Sequence, residues 1–451
     1  MRLFTTGNPL GRLVKGCLNA VFILCLAVQP SSAQGLRDLI GELFVFGDAD
    51  DPLFLTGSAD PSNPFNVRVH GDHFIPSAVA SNQTLIGFLT NAVSTNVANI
   101  PIGATSGGRT FRFEGGAPVA TSASPGPIFA ERAQTLGRGR VLVGVNVNQF
   151  NFSTLRGVRL DNLRLTFIHE NVTFPGCDSI FGDCASQGTP DFENDRIDLG
   201  LSLDLNVRAT MFLLTYGVLD QIDIGVAIPV ITTSLSGTSV AQVNPFGSAV
   251  NHFFGGTVSD PELSASRSID GSATGLGDIA ARLKIALGES FSILGDARFP
   301  TGDVSNLLGS GETSVRGLGV ISKQYGNFSP HLNVGYLYRS GELQNDAVLA
   351  TVGFDNLIAP WIAISVDFIS ELQVGENKLR IPEPTVLETP FRRTVNPTNI
   401  PNLRDDIISS SVGFKLVTPA GIRIIANSLW PLSDGGLRSN VAWTAGLEYN
   451  F

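Results

Sequence analysis

From Ile197 to Arg208 the chain alternates without a fault. Ile197, Leu199, Leu201, Leu203, Leu205 and Val207 fall on one side of an extended backbone. Asp198, Gly200, Ser202, Asp204, Asn206 and Arg208 fall on the other. That period of two predicts a strand with one apolar face. The pattern returns in Val141, Val143, Val145 and Val147, in Ile222, Ile224, Val226 and Ile228, and in Ile362, Ile364, Val366 and Phe368. Similar segments recur near 278–287, 291–299, 314–325, 330–339, 346–354, 407–417, 421–430 and 441–451. Segments of roughly ten residues suit a tilted strand crossing a hydrocarbon layer. Past the amino terminus no run approaches the roughly 18 apolar residues of a membrane helix.

Connection lengths sharpen the picture. Short turns stand at 216–221, 287–290, 325–328, 355–360 and 418–421, and long polar stretches occupy 173–191, 236–274, 300–313 and 372–405. Tight turns on one side and long loops on the other are the mark of an outer-membrane barrel. Such a sheet must close, because lipid cannot satisfy an open edge. The last residues, "TAGLEYNF", keep alternating to the final atom, which predicts a last strand hydrogen-bonded to the first.

Counting back gives strands near 440–451, 421–430, 406–417, 360–371, 346–354, 328–339, 313–325, 290–299, 275–287, 222–235, 195–216, 158–172 and 139–152. Gly108 to Glu114, "GRTFRFE", makes the number even. The expected fold is therefore all-β: a transmembrane antiparallel β-barrel of about 14 strands, with 12 to 16 open.

The first residues read differently. Arg2, Arg12 and Lys15 precede an apolar run from Gly16 to Val28, and Ser31 and Ala33 supply small residues for cleavage, so 1–33 reads as a secretory signal peptide. An uncleaved anchor is the rival, but the apolar run is short for a span. Residues 34–105 lack strand alternation. Val79, Leu85, Ile86, Leu89, Val93 and Val97 recur at loose helical spacing, with no charge from Ile75 to Ile100. This segment reads as a partly helical plug or hatch, with a periplasmic tail as the alternative, and 106–451 as the barrel.

Composition agrees. The chain has 451 residues, 43% hydrophobic and 16% charged, well below the charge of a soluble domain, which averages about 25%. A net charge of -10 with scattered Lys and Arg offers no stripe for phosphates, so no nucleic-acid partner is expected. Of four cysteines, Cys17 and Cys25 leave with the signal. Cys177 and Cys184, in a Gly- and Asp-rich external stretch, read as a disulfide.

Motifs for chemistry are weak. "GATSGGRT" (103–110) has the spacing of a phosphate loop but Arg109 in place of Lys. "HGDH" pairs His70 and His73 without a third ligand, and "GDADDP" (47–52) lacks the Gly and Glu of a calcium loop. No metal or cofactor is expected. An enzyme would need His169, His252 or His331 beside an activated serine, and none lies in a nucleophile motif.

Four stretches carry a family likeness: "SPGPIFAERAQTLGRGR" (124–140), "YGVLDQIDIGVAIPV" (216–230), "GLGDIAARLKIAL" (275–287) and "FPTGD" (299–303). In this order, over roughly 100–451, the chain resembles the outer-membrane family named for the meta-pathway of phenol degradation. That family is related in outline to the long-chain fatty-acid outer-membrane transporters. The resemblance implies a channel for fatty acids, aromatics or other hydrocarbons, with a periplasmic N-terminal hatch. The Asn-Pro-Ala hatch signature of fatty-acid transporters is absent here.

Thr444, Gly446, Tyr449 and Phe451 resemble the carboxy-terminal assembly signal of such barrels, which implies the barrel assembly machinery as a partner beside outer-membrane lipid. Candidate substrate-path residues are Leu85, Phe88 and Leu89 in the plug, and Phe246, Phe253 and Phe254 in "NPFGSAVNHFFGG". The plain alternative is that these side chains simply pack plug and loops. The expected function is monomeric, cofactor-free uptake of hydrophobic small molecules. A general diffusion porin, marked by an open charge-lined lumen, or a structural barrel is the alternative.

Overall fold

The structure is a computed structural model. It describes residues 35–48, 51–55, 111–114, 117–120, 129–168, 195–245, 252–257, 259–341, 344–379, 381, 383–387 and 391–451. Twelve strands form a closed ring: β1 (Val141–Leu155), β2 (Arg196–Leu219), β3 (Ile222–Asn244), β4 (Ala280–Ala286), β5 (Phe291–Arg298), β6 (Ser314–Ser322), β7 (Phe328–Arg339), β8 (Ala347–Ala359), β9 (Ile362–Gln373), β10 (Ile407–Val417), β11 (Arg423–Pro431) and β12 (Ala442–Asn450). Each pairs antiparallel with its sequence neighbour, and β12 pairs with β1 from Trp443↔Gln149 to Asn450↔Leu142. The Phe451 N–H donates to the Val141 carbonyl at 2.8 Å, so pairing runs to the last residue.

The ring has two strands fewer than the expected 14 and stands at the low end of the range of 12 to 16. The expected strand at 158–172 is not a ring member. Among the described residues there, Leu163–Ile168 pairs with the upper part of β2 (Ile197, Leu199 and Leu201) while β1 pairs with the lower part. The chain leaves β1 at Arg156 (φ 47) and Gly157 (φ 82) and re-joins the same partner higher up. Phe111–Glu114, the described part of the expected first strand, pairs instead with Ala117–Ala120 in a separate hairpin. Strand Ser264–Leu276 and β4 likewise share β3, meeting its upper and lower halves across a break at 277–279. Two short strands, Val158–Arg159 and Leu437–Ser439, extend the sheet beside β1.

Side-chain exposure shows where lipid lies. Around the ring the outward positions are apolar, including Ile293, Val334, Val352, Phe368, Ile424 and Leu447. So large an exposed apolar belt has no place in water. The closed sheet is a transmembrane barrel. Tyr449 and Phe451 point outward at the short-turn end, their rings 4.7 Å apart and edge to face. Thr444 and Gly446 point inward, where a Cβ on Gly446 would collide with the Asn146 side chain.

On β2 and β3, of 24 and 23 residues, the belt ends partway up. Going up β3 the outward residues change from Ile224, Val226, Ile228 and Val230 to Thr232, Ser234, Ser236 and Thr238. Strands this long reach roughly 75–80 Å, far beyond a bilayer core. In the extension the polarity of the wall inverts. Leu199, Leu201, Leu203, Leu205 and Val207 face inward and are buried. Opposite them pack helix α1 (Leu36–Glu42) through Leu36 and Ile40, then Leu43, Phe44 and Phe46. The helix lies directly on Gly271 of strand Ser264–Leu276, and the Arg37 N–H donates to Ser305 O at 2.9 Å. The described amino-terminal residues thus pack on the long strands at the long-loop end. Most of 34–105, including the stretch expected to be helical, lies outside the described residues.

The change of outward polarity generates a prediction. Val352→Arg, mid-strand on the lipid face of β8, should cost about 2–4 kcal/mol in urea unfolding from lipid vesicles, whereas Ser236→Arg should cost about 0–1 kcal/mol. Equal costs would contradict the placement of the belt.

Candidate functional site

At the short-turn end of the ring the interior is not empty. Residues 129–140 cross it as a strap, tied to strands on opposite sides. The Glu131 N–H donates to Asn333 Oδ1 of β7 at 2.7 Å, and Asn333 Nδ2 returns a bond to the Glu131 carbonyl at 3.1 Å. Arg132 pairs with Asp355 of β8 at 2.5 Å. The Ala133 N–H reaches Ser322 Oγ of β6 at 2.8 Å, and Lys284 of β4 donates to the Gln134 carbonyl at 2.8 Å. The Leu136 N–H reaches Asp223 Oδ2 of β3 at 2.9 Å. Glu131 also meets Arg282 and, at 3.6 Å, Lys284. Both side chains of the Arg132–Asp355 pair are almost wholly buried. Removing one partner from such a pair costs about 3–5 kcal/mol, since the other charge is stranded.

At the short-turn end the strap is closed by glycine. Gly139 N–H donates to the Gly217 carbonyl at 2.7 Å and Gly217 N–H to the Arg140 carbonyl at 2.9 Å. A Cβ on Gly217 would lie 2.0 Å from Gly137 O, and Gly137 and Gly139 have φ 89 and 78. Only glycine permits that approach with those dihedrals. The spaced glycines of "TLGRGR" and the Tyr-Gly of "YGVLDQ" therefore form one contact.

Above Glu131 lies a cavity of about 150 Å³. Phe129, Phe150, Leu337, Leu349, Ile369 and Leu429 give much of its wall. Its charged side chains are Glu131, Arg316, Glu371 and Arg438. Arg316 pairs with Asp296 at 2.6 Å and Glu371 with Arg339 at 2.5 Å. Just past the end of β1, buried Arg156 donates to both oxygens of Asp405 at 2.7 and 2.8 Å. Arg156 also donates to the Leu379 carbonyl at 3.2 Å, and Asp405 Oδ1 accepts a second bond from the Gly436 N–H at 3.0 Å.

The break at 277–279 joins two of the motifs. Asp278 accepts from the Gly302 N–H at 3.0 Å and from the Ser310 N–H and hydroxyl at 2.8 and 2.6 Å. Loop 299–313 is thereby turned inward, with Leu307 and Leu308 buried. In that loop Asp303 is held below the ordinary carboxylate range by the Ser305 hydroxyl and further by Asn306. A depressed carboxyl stabilises above its unfolded pKa and loses that contribution only as pH falls through the folded value, so the loop keeps this brace at neutral pH.

The residues named from sequence are scattered. Phe254 is buried in the long-loop end against Phe46, with ring centroids 5.4 Å apart, and Phe253 is half-buried beside it. Neither lines the cavity. Leu85, Phe88, Leu89, Phe246, Cys177, Cys184, His70, His73 and His169 lie outside the described residues. His331 Nε2 bonds Asp367 Oδ1 at 2.6 Å, while Ser365 Oγ bonds the other oxygen of that carboxylate at 3.4 Å. The serine thus touches the carboxylate and not the imidazole, which is not a nucleophile–base contact. His252 Nδ1 bonds Asp195 at 2.8 Å. Among the described residues no group of three or more His, Cys, Asp and Glu could hold a metal ion.

No family model matches the chain. No curated protein matches it either. Among solved structures, an outer-membrane channel from Pseudomonas putida F1 is similar, with 13% identity and TM-score 0.38, over 71% of this chain and 98% of that one. A Pseudomonas aeruginosa FadL homologue aligns at 10% identity and TM-score 0.33, over 69% and 89% of the two chains. The P. putida toluene transporter TodX aligns at 9% identity and TM-score 0.28, over 69% and 89%. At these scores the likenesses carry no argument about this chain's cargo.

The strap generates the second prediction. The Glu131→Ala, Arg132→Ala double variant should conduct ions several-fold better than the parent in planar bilayers, with the barrel still running as a folded, heat-modifiable band. Unchanged conductance in a folded double variant would contradict closure by the strap.

Proposed function

We propose that this protein is an outer-membrane channel for facilitated uptake of hydrophobic small molecules, such as fatty acids, aromatics and hydrocarbons. One observation carries the reading: a largely apolar cavity sits on a strap held by ion pairs and hydrogen bonds to five ring strands. A barrel of 12 strands lies between those filled by side chains at about 8 and the water-filled porins at about 16. Here the strap obstructs water and ions while the cavity offers a place for apolar solutes. Such solutes cross the polar sugar layer outside poorly, so a protein path is useful to them. The motifs that resemble the phenol-degradation family point the same way.

The same reading takes 1–33 as a cleaved signal, 34–105 as a hatch and 106–451 as the barrel-bearing part, with the short turns in the periplasm. Cys177 and Cys184 would form an external disulfide. Thr444, Gly446, Tyr449 and Phe451 would address the chain to the assembly machinery, and the barrel would act as a monomer without catalysis. Leu85, Phe88, Leu89, Phe246, Phe253 and Phe254 remain candidates for the approach to the cavity.

A general diffusion porin has one observation in its favour, the charged inner wall, which includes Asp296, Arg316, Arg339 and Glu371. Those charges are engaged with one another, as an open pore would not require. Two measurements decide. The channel should speed uptake of labelled toluene or palmitate into cells whose outer leaflet is lipopolysaccharide, and should give low steady conductance in planar bilayers. Large steady conductance with no hydrophobic uptake would overturn the proposal.

A further inference from the structure

The cavity has a chemical asymmetry that hydrocarbon uptake alone does not use. Three of its four charged side chains are matched: Arg316 by Asp296, Glu371 by Arg339, and Glu131 by Arg282 and Lys284. Arg438 forms no ion pair among the described residues. Its Nη2 donates to the Ile408 carbonyl at 3.0 Å and the Ser409 hydroxyl at 2.6 Å, while its buried Nε donates to nothing. The residue is 7% exposed. A second buried donor on the same cavity, Asn148 Nδ2, also has no partner. Asn148 Oδ1 is already engaged by the Thr444 hydroxyl at 2.8 Å, which leaves the amide nitrogen as its free group.

Both orphaned polar atoms of this cavity are donors, and one belongs to a fixed cation. Glu371, itself paired with Arg339, and Asp434 are the opposing charges that act on Arg438, and neither reaches it as an ion pair. A buried guanidinium so placed is costly, and orphaned buried donors call for an explanation. Arg438 is also held in place. Its strand Leu437–Ser439 pairs with the end of β1, and the preceding Gly436 is gripped by Asp405, itself clamped by Arg156. The rest of the wall is Phe129, Phe150, Leu337, Leu349, Ile369 and Leu429. A cavity of about 150 Å³ accommodates a single benzene-sized ring and not a long acyl chain.

We infer that this cavity binds a small aromatic monocarboxylate, its carboxylate accepting from Arg438 and Asn148 and its ring packed on the apolar wall. The inference rests on the uptake reading and narrows its substrate class, from neutral hydrocarbon to a one-ring organic acid. The carboxylate supplies the charge and the acceptors that the two donors lack.

Calorimetry on the purified protein in detergent, with benzoate and benzyl alcohol as probes, tests it. Wild type should bind benzoate at least about tenfold tighter than benzyl alcohol, the scale expected for hydrogen bonds to a charged group. Arg438→Leu should lose at least about tenfold in benzoate affinity, and Arg438→Lys should recover part of it. If Arg438→Leu does not fold, Asn148→Leu and the wild-type ratio of the two probes decide. Benzoate bound no tighter than benzyl alcohol, or equally tightly by a folded Arg438→Leu barrel, would overturn the inference. Absence of benzoate binding with toluene uptake into cells intact overturns this inference alone. Absence of both overturns the uptake reading as well.

Discussion

Hydrocarbon offers an amide nothing to bond, and the architecture follows from that constraint. Twelve strands meet every neighbour antiparallel, and the last, ending at Phe451, is stitched to the first by the Val141 carbonyl. Once the ring is closed, its inner face becomes a separate compartment whose polarity is free of the lipid. That freedom shows on β2 and β3. At the level of the belt their outward residues are Leu214, Ile224 and Val226. Above it the outward face carries Asp204, Asn206, Ser234 and Thr238, and the apolar residues turn inward to form a water-soluble kind of core.

A ring of this size must be filled, plugged or left wet. Residues 129–140 fill it at the short-turn end, and their polar bonds are made to side chains that the strands hold rigidly. Buried pairs such as Arg132–Asp355 add little net stability over an apolar core, but a broken pair is expensive. They therefore serve position more than strength: the strap has one place to sit. The cavity above it takes Glu131 into its wall, and the Arg156–Asp405 clasp holds Gly436, two residues before Arg438.

Much of this was legible in the sequence. Period-two alternation found all twelve ring strands, β1 included, and placed the short turns at one end, because side chains of a strand in lipid have nowhere else to go. The alternation does not say which face is inside. Leu199 to Val207 read the same whether they meet lipid or a core, and only the outward Ser, Asp and Thr partners, seen in the fold, settle it. The overcount had a related cause. Two extended segments can share one long partner strand, as 163–168 and β1 share β2, and a linear pattern registers them as two ring members. The site itself was hidden. The partners of Glu131, Arg132 and Leu136 stand 202, 223 and 87 positions away, and Arg438 sits in a short stretch with no period at all. Only the glycines of "TLGRGR" gave a local sign, since close spacing of that kind marks tight backbone approach.

Amide hydrogen exchange of the protein in lipid nanodiscs tests the central claim directly. A strap bonded across the lumen requires the amides of Glu131, Ala133 and Leu136 to be protected to a degree approaching those of β6 and β7. Exchange of those three amides on the timescale of an exposed loop, with the ring strands still protected, would contradict it.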